Sequence, residues 1–252
     1  MTLALAWRAF LAQARVELLL TVRRGENLLV TLAIPLLLLV FFSVVPLLPP
    51  SSFGGRQVDQ VAPGILALAI VSTGLVSLGI ATAFERSYGV LKRLGGSPLP
   101  RPALLGAKTL AVLLTEVVQV VLIAVVGGFL GWNPQGGIVG GILAALPWLL
   151  LGSIAFAAMG LLLAGALRAE AVLAVANGLY LVFLLLGGIV IPLDHLPAAI
   201  AVPASLLPPA QLAGVLRGTL ERGDVVDPLQ AAGLAAWAVA LVAATLLTFR
   251  TE

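Results

Sequence analysis

Glu116 is the residue whose chemistry first needs an explanation. It stands in the apolar run 103–130, which is otherwise interrupted only by Lys108, and Gln119 falls on nearly the same face of a helix. At the helical rise it lies about 20 Å along from Ala103. An acidic side chain at the centre of a bilayer costs roughly 2.5–3.5 kcal/mol, so it should face protein or a water-filled cavity. Two chemistries fit. One is a polar point on a translocation path, shared with Gln119 and Asn177; the other is interhelical hydrogen bonding with the carboxyl protonated. Hydrolytic or metal chemistry has less to stand on. His195, the single histidine, sits beside Asp194 in a proline-flanked connection and reads as a solvated loop residue. No serine occupies a nucleophile-elbow pattern, and no H-E-x-x-H or acidic cluster gives a metal spacing. The absence of cysteine removes disulfides, thiolates and zinc fingers together. The stretch LLGAKTL superficially matches a phosphate loop, but Ala107 precedes Lys108 and Pro102 stands where the first glycine belongs. No catalytic residue, metal site or nucleotide site is expected in this chain, and nothing points to a nucleic-acid partner.

The elements that must position these residues are set by composition. Of the 252 residues, 61% are hydrophobic and 10% charged, against about 25% charged in soluble domains. The chain cannot cover a water-facing surface, so a bilayer is its solvent. Six runs approach the roughly 20 apolar residues that cross hydrocarbon as a helix: 28–48, 61–84, 103–130, 138–167, 172–191 and 229–249. The fourth would be about 45 Å long as one helix, which predicts tilt, a kink at Pro147 or an extension beyond the membrane. The expected architecture is an all-α membrane protein with residues 1–27 as an amphipathic interfacial helix and 28–252 as a six-helix domain. On that first helix Trp7, Phe10, Leu11, Ala14 and Leu18 share an arc flanked by Arg8 and Arg15. Charges scattered through it argue against a cleavable signal peptide.

Orientation follows from the basic residues. With the N-terminus inside, eleven of the 14 lysines and arginines fall on the cytoplasmic side, and only Arg56, Arg217 and Arg222 fall outside. Both chain ends are thus expected in the cytoplasm. The proline-broken connection 192–228 is too apolar for a tether and predicts half-embedded or re-entrant helices on the outer face. Gly127/Gly131, Gly136/Gly140 and Gly137/Gly141 match G-x-x-x-G and predict close helix packing. There is no internal repeat of the kind on which many secondary transporters are built. Twelve arginines against two lysines fit a GC-rich genome.

The densest charge cluster, FERSYGVLKRLGGSPLPRPALLGAKTL, joins the second and third runs. Here Glu85, Arg86, Gly89, Leu91, Leu94, Ser97, Pro98, Leu99, Arg101, Gly106 and Lys108 resemble the pattern of ABC transporter permeases of the second type, ABC-2. Gly187, Gly188, Pro192, Leu196, Pro197, Leu207, Pro208 and Arg217 resemble that family's outer connection. Ser87 departs from it, standing where many relatives carry a charge. The resemblance covers essentially the whole chain. It implies a cytoplasmic coupling helix between helices 2 and 3 in which Glu85, Arg86, Gly89, Leu91, Lys92, Arg93, Leu94, Pro98 and Arg101 meet a separate P-loop ATPase. It also implies a second permease, identical or homologous, surrounding membrane lipids, and an outer gate near Pro192, Leu196 and Pro197. ATP and magnesium would belong to the partner, and the assembly would be a multi-pass exporter of the bacterial cell membrane carrying hydrophobic drugs or lipids. A non-transporting anchor, a membrane enzyme using Glu116 and an ion-driven transporter are the other classes to weigh.

Overall fold

The computed structural model describes residues 3–23, 25–45, 56–90, 101–189, 193, 196–223 and 226–248. All regular structure among them is helical. Backbone that leaves water for hydrocarbon must satisfy its own hydrogen bonds, and helices do so within one segment.

Helix α1 (Leu3–Arg23) is followed at once by α2 (Gly25–Val44). Helix α3 runs from Gln57 to Ser87, with a π-helical stretch at Val71–Ser77. Then come α4 (Arg101–Phe129), α5 (Gly137–Ala166) and α6 (Ala169–Leu186). Two short helices, α7 (Ala198–Ser205) and α8 (Pro208–Arg217), precede the closing α9 (Pro228–Thr248). The spans α3, α4, α5, α6 and α9 are long and apolar enough to cross a membrane, whereas the apolar part of α2, Leu29–Val44, is shorter. Residues 46–50, which hold the end of the first predicted span, lie outside the described residues. Helix α5 is continuous through Pro147.

Helix α3 is the axis of the molecule. Every residue from Val61 to Val71 is buried, and α2, α4, α5, α6 and α8 all pack around it. Its contact with α5 is made by backbone. A Cβ on Gly160 would lie 2.3 Å from Gly74 O, and one on Gly74 would lie 2.8 Å from Ala157 N. Only glycine allows two helices so near. The π-helical stretch carries Gly74, as π-bulges commonly fall where helix geometry serves a special contact. The G-x-x-x-G pairs have another role. Gly131, Gly136 and Gly137 adopt positive φ, between 74° and 86°, in the turn joining α4 to α5, a backbone region that costs glycine little.

Helices α7 and α8 meet at 90°. The corner opens with Leu206, whose carbonyl accepts the Trp237 indole N–H at 2.9 Å. Helix α8 is buried along most of its length, while α7 is largely exposed. This bent pair occupies the connection for which half-embedded helices are expected.

Candidate functional site

At one end of the bundle, α1, α3 and α4 converge on a buried ion cluster. Lys108 Nζ, on the second turn of α4, lies 2.8 Å from Glu17 Oε1 of α1 and 2.5 Å from Glu85 Oε2 at the end of α3. Lys108 is 2% exposed. Gln13 donates to Glu17 Oε1 at 2.8 Å and holds that carboxylate in place. The face of α1 that meets protein thus carries Phe10, Ala14 and Glu17, while Trp7, Leu11, Val16 and Leu19 remain exposed. Desolvating ions is expensive, and their mutual attraction offsets that cost only when geometry and hydrogen bonding are good. Such a cluster fixes register between three helices more than it adds stability.

Arg86, next to Glu85, turns the other way. Its guanidinium donates to Gly165 O and, at 2.7 Å, to Leu167 O at the carboxyl end of α5. The last carbonyls of a helix lack partners along the chain, and a cation there also meets the negative end of the helix dipole. Gly89, at φ +70°, then ends α3 and returns its N–H to Arg86 O at 3.0 Å. The final turn of α3 is therefore fastened to α1 and α4 on one side and to α5 on the other.

Halfway along α4 is a second polar layer. Gln119 accepts from Thr73 Oγ1 at 2.8 Å and donates to Thr31 O at 3.0 Å, tying α4 to α3 and α2. Glu116 faces α5, where Ser153 Oγ lies within hydrogen-bonding reach of its Oε2 and 2.8 Å from Leu149 O. Glu116 and Gln119 are 4% and 2% exposed. Between these layers a cleft of about 720 Å³ opens between α1, α2, α3, α4 and α6. Glu17, Glu85 and Lys108 line one end, Thr73 and Tyr180 the other, with apolar side chains such as Val76, Ile80 and Leu173 between. Asn177 lines it too, exposed on α6, its amide donating to Leu173 O of its own helix at 2.8 Å.

The far end is held by different contacts. Arg217 donates to Ile189 O at 2.9 Å, directly over Gly64, where a Cβ would stand 1.8 Å from that oxygen. Asp59 accepts from Arg56 N and Asn133 N at 2.8 and 2.9 Å, joining the start of α3 to the α4–α5 turn. Leu196 and Pro197 precede α7 near this end, and Pro192 lies outside the described residues.

Of the residues read from the sequence, Glu85 and Arg86 point into the protein, with Ser87 and Tyr88 exposed beside them. Leu91, Lys92, Arg93, Leu94 and Pro98 lie outside the described residues, and Arg101 opens α4. Glu116 and Gln119 sit inside the bundle, apart from the cleft that Asn177 lines. Glu17, Thr73 and Ser153 complete these polar layers and are not among those residues. Glu17 carried a signal, being an acid on an arc of apolar neighbours; a lone threonine or serine in an apolar run carries little.

These features define a polytopic helical membrane protein with a polar interior layer and a cleft on one flank. A family model described as ABC-2 type transporter matches residues 3–219, and the chain belongs to that family. It is a permease component of an ABC transporter, a family role that needs no catalytic site in the chain itself. No curated protein matches the chain.

Proposed function

We propose that this permease is the membrane-spanning subunit of an ATP-driven exporter, worked by a separate cytoplasmic ATPase that docks on the connection between α3 and α4. The observation that carries this reading is the double fastening of α3 just before that connection. Glu85 is held by Lys108 and Arg86 by the end of α5. A push on the connection would reach α1, α3, α4 and α5 together, as a protein driven by a partner's ATP requires. Leu91 and Leu94 supply the apolar contact with the ATPase, and Lys92, Arg93 and Arg101 orient it. The excess of basic residues near this end supports a cytoplasmic location for it and for both chain ends.

The cleft supports a hydrophobic drug-like or lipidic substrate, because most of its lining surface is apolar, with hydroxyl and amide groups such as Ser77 and Asn177 set among the apolar side chains. Its open side and the exposed Asn177 favour a second permease, identical or homologous, closing against α6, since an amide facing lipid is unfavourable. Leu196 and Pro197, with Pro192, would form part of the outer gate of this cell-membrane exporter. A membrane enzyme would need an ionisable partner for Glu116, and the group that meets it is Ser153.

The test is purification of the tagged chain from native membranes in mild detergent, with mass spectrometry of its companions. A P-loop ATPase should co-purify and should be lost from the Leu91→Asp/Leu94→Asp variant. Recovery of the permease without any ATPase, under conditions that preserve known complexes, would sink the reading.

A further inference from the structure

We infer that Glu116 is held as a neutral carboxylic acid that donates its proton to Ser153 Oγ, making it a positioning residue that ties α4 to α5 in the interior. Three observations converge on this.

The first is a count of hydrogens. A serine hydroxyl has one proton to give and two lone pairs to receive. Ser153 Oγ has two oxygens within reach, Leu149 O at 2.8 Å and Glu116 Oε2. Bonding to the carbonyl four residues back is the usual habit of a helical serine. With the serine proton spent there, a proton is still needed between Oγ and Oε2, and the carboxyl is the group that can supply it.

The second is the other oxygen. Glu116 Oε1 is buried and has no hydrogen-bond partner. In a carboxylate that oxygen would carry half of a buried negative charge with nothing to receive. In an acid it is a carbonyl, and a carbonyl without a donor is far cheaper to bury.

The third is the absence of a counter-charge among the described residues. Helix α5 contains no ionisable side chain from Gly137 to Ala166. Those of α3 are Asp59, Glu85 and Arg86, all towards its ends. On α4 itself the nearest cation is Lys108, about 12 Å along the axis, and it is engaged with Glu17 and Glu85. Helix α1 brings only Glu17 inward, while Arg8, Arg15 and Arg23 are exposed. Helix α2 has Glu26 at its start as its one ionisable residue.

A layer made this way gives α4 a directional bond to α5 without placing a charge inside the bundle. Infrared spectroscopy of the full chain reconstituted in lipid at neutral pH reads it directly, using glutamate labelled with carbon-13 at the side-chain carboxyl. Wild type should show an isotope-shifted C=O stretch of a protonated acid, and Glu116→Gln should lose it. Ser153→Ala should keep that band but raise its frequency, because the acid O–H loses its acceptor. Loss of a carboxylate band instead, or no protonated-acid band in wild type, would overturn the inference. Should Glu116→Gln fail to insert, the labelled wild type and Ser153→Ala decide the matter between them. The readout needs no transport, so its failure leaves the exporter reading intact.

Discussion

Helices α5 and α6 are similarly apolar and adjacent in the chain, yet the protein treats them differently. In their most apolar stretches, 61% of α5 is buried against 22% of α6. The burial follows from the contacts each can make. Helix α5 offers Gly160 to the backbone of α3, Ser153 to Glu116, the carbonyl of Ala158 to Thr245 of α9, and its carboxyl end to Arg86. Among the described residues, side chains of α6 make no hydrogen bond to another helix, and Tyr180 Oη has no partner. In hydrocarbon, an apolar surface gains little by leaving lipid for protein. Small residues and polar bonds decide which helices pack.

The largest effect is expected where polar bonds hold other helices, at the ion cluster of α1, α3 and α4, set against the loosely held α6. Lys108→Met leaves Glu17 and Glu85 buried against each other. It should cost about 3–5 kcal/mol, read as a large fall in melting temperature of the purified permease. Glu170→Ala, on the exposed first turn of α6, should leave the melting temperature nearly unchanged. A matched glycine pair comes next. Gly160→Ala drives a methyl into Gly74 O and should destabilise by about 1–3 kcal/mol. Gly178→Ala on α6 meets nothing within 4 Å and should be neutral or gain up to about 1 kcal/mol from helix propensity. If both lose stability equally, α6 is as tightly held as α5 and the comparison fails.

Smaller effects refine it. Gln119→Leu removes the bonds to Thr73 and Thr31 and should cost about 1 kcal/mol, at roughly 0.6 kcal/mol for each interhelical bond, by the same melting assay. Tyr180→Phe should change stability by less than about 0.5 kcal/mol in the isolated permease. A larger loss only when a second permease is bound would show that the hydroxyl finds its partner there.

The positions of the helices were legible because length and hydropathy alone set them. The run 138–167 and α5 follow the same course, as do 103–130 and α4. Partner choice was not legible. Gly74 and Gly160 sit in different helices and form no motif along the chain, whereas Gly127 and Gly131 form one and serve a turn. Arg86 stood out in the charged connection, but its target is a carbonyl of α5, and carbonyls leave no mark in sequence. Lys108 was visible as a break in an apolar run. That it would join Glu17 of the first helix depends on how α1 lies over α4, which no local pattern encodes.

The corner at Leu206 bears on how the chain is threaded through the membrane. Each crossing moves it to the other side, so the side on which it ends depends on whether the number of crossings is even or odd. With α2, α3, α4, α5, α6 and α9 as crossings, the two termini emerge together, provided that α7 and α8 turn back. Were that pair straightened into one more crossing, the C-terminus would be delivered to the opposite compartment. On that count the 90° bend, fastened by the Trp237 indole on Leu206 O and by the Gln211 amide on Ser205 O, would set the address of residues far along the chain.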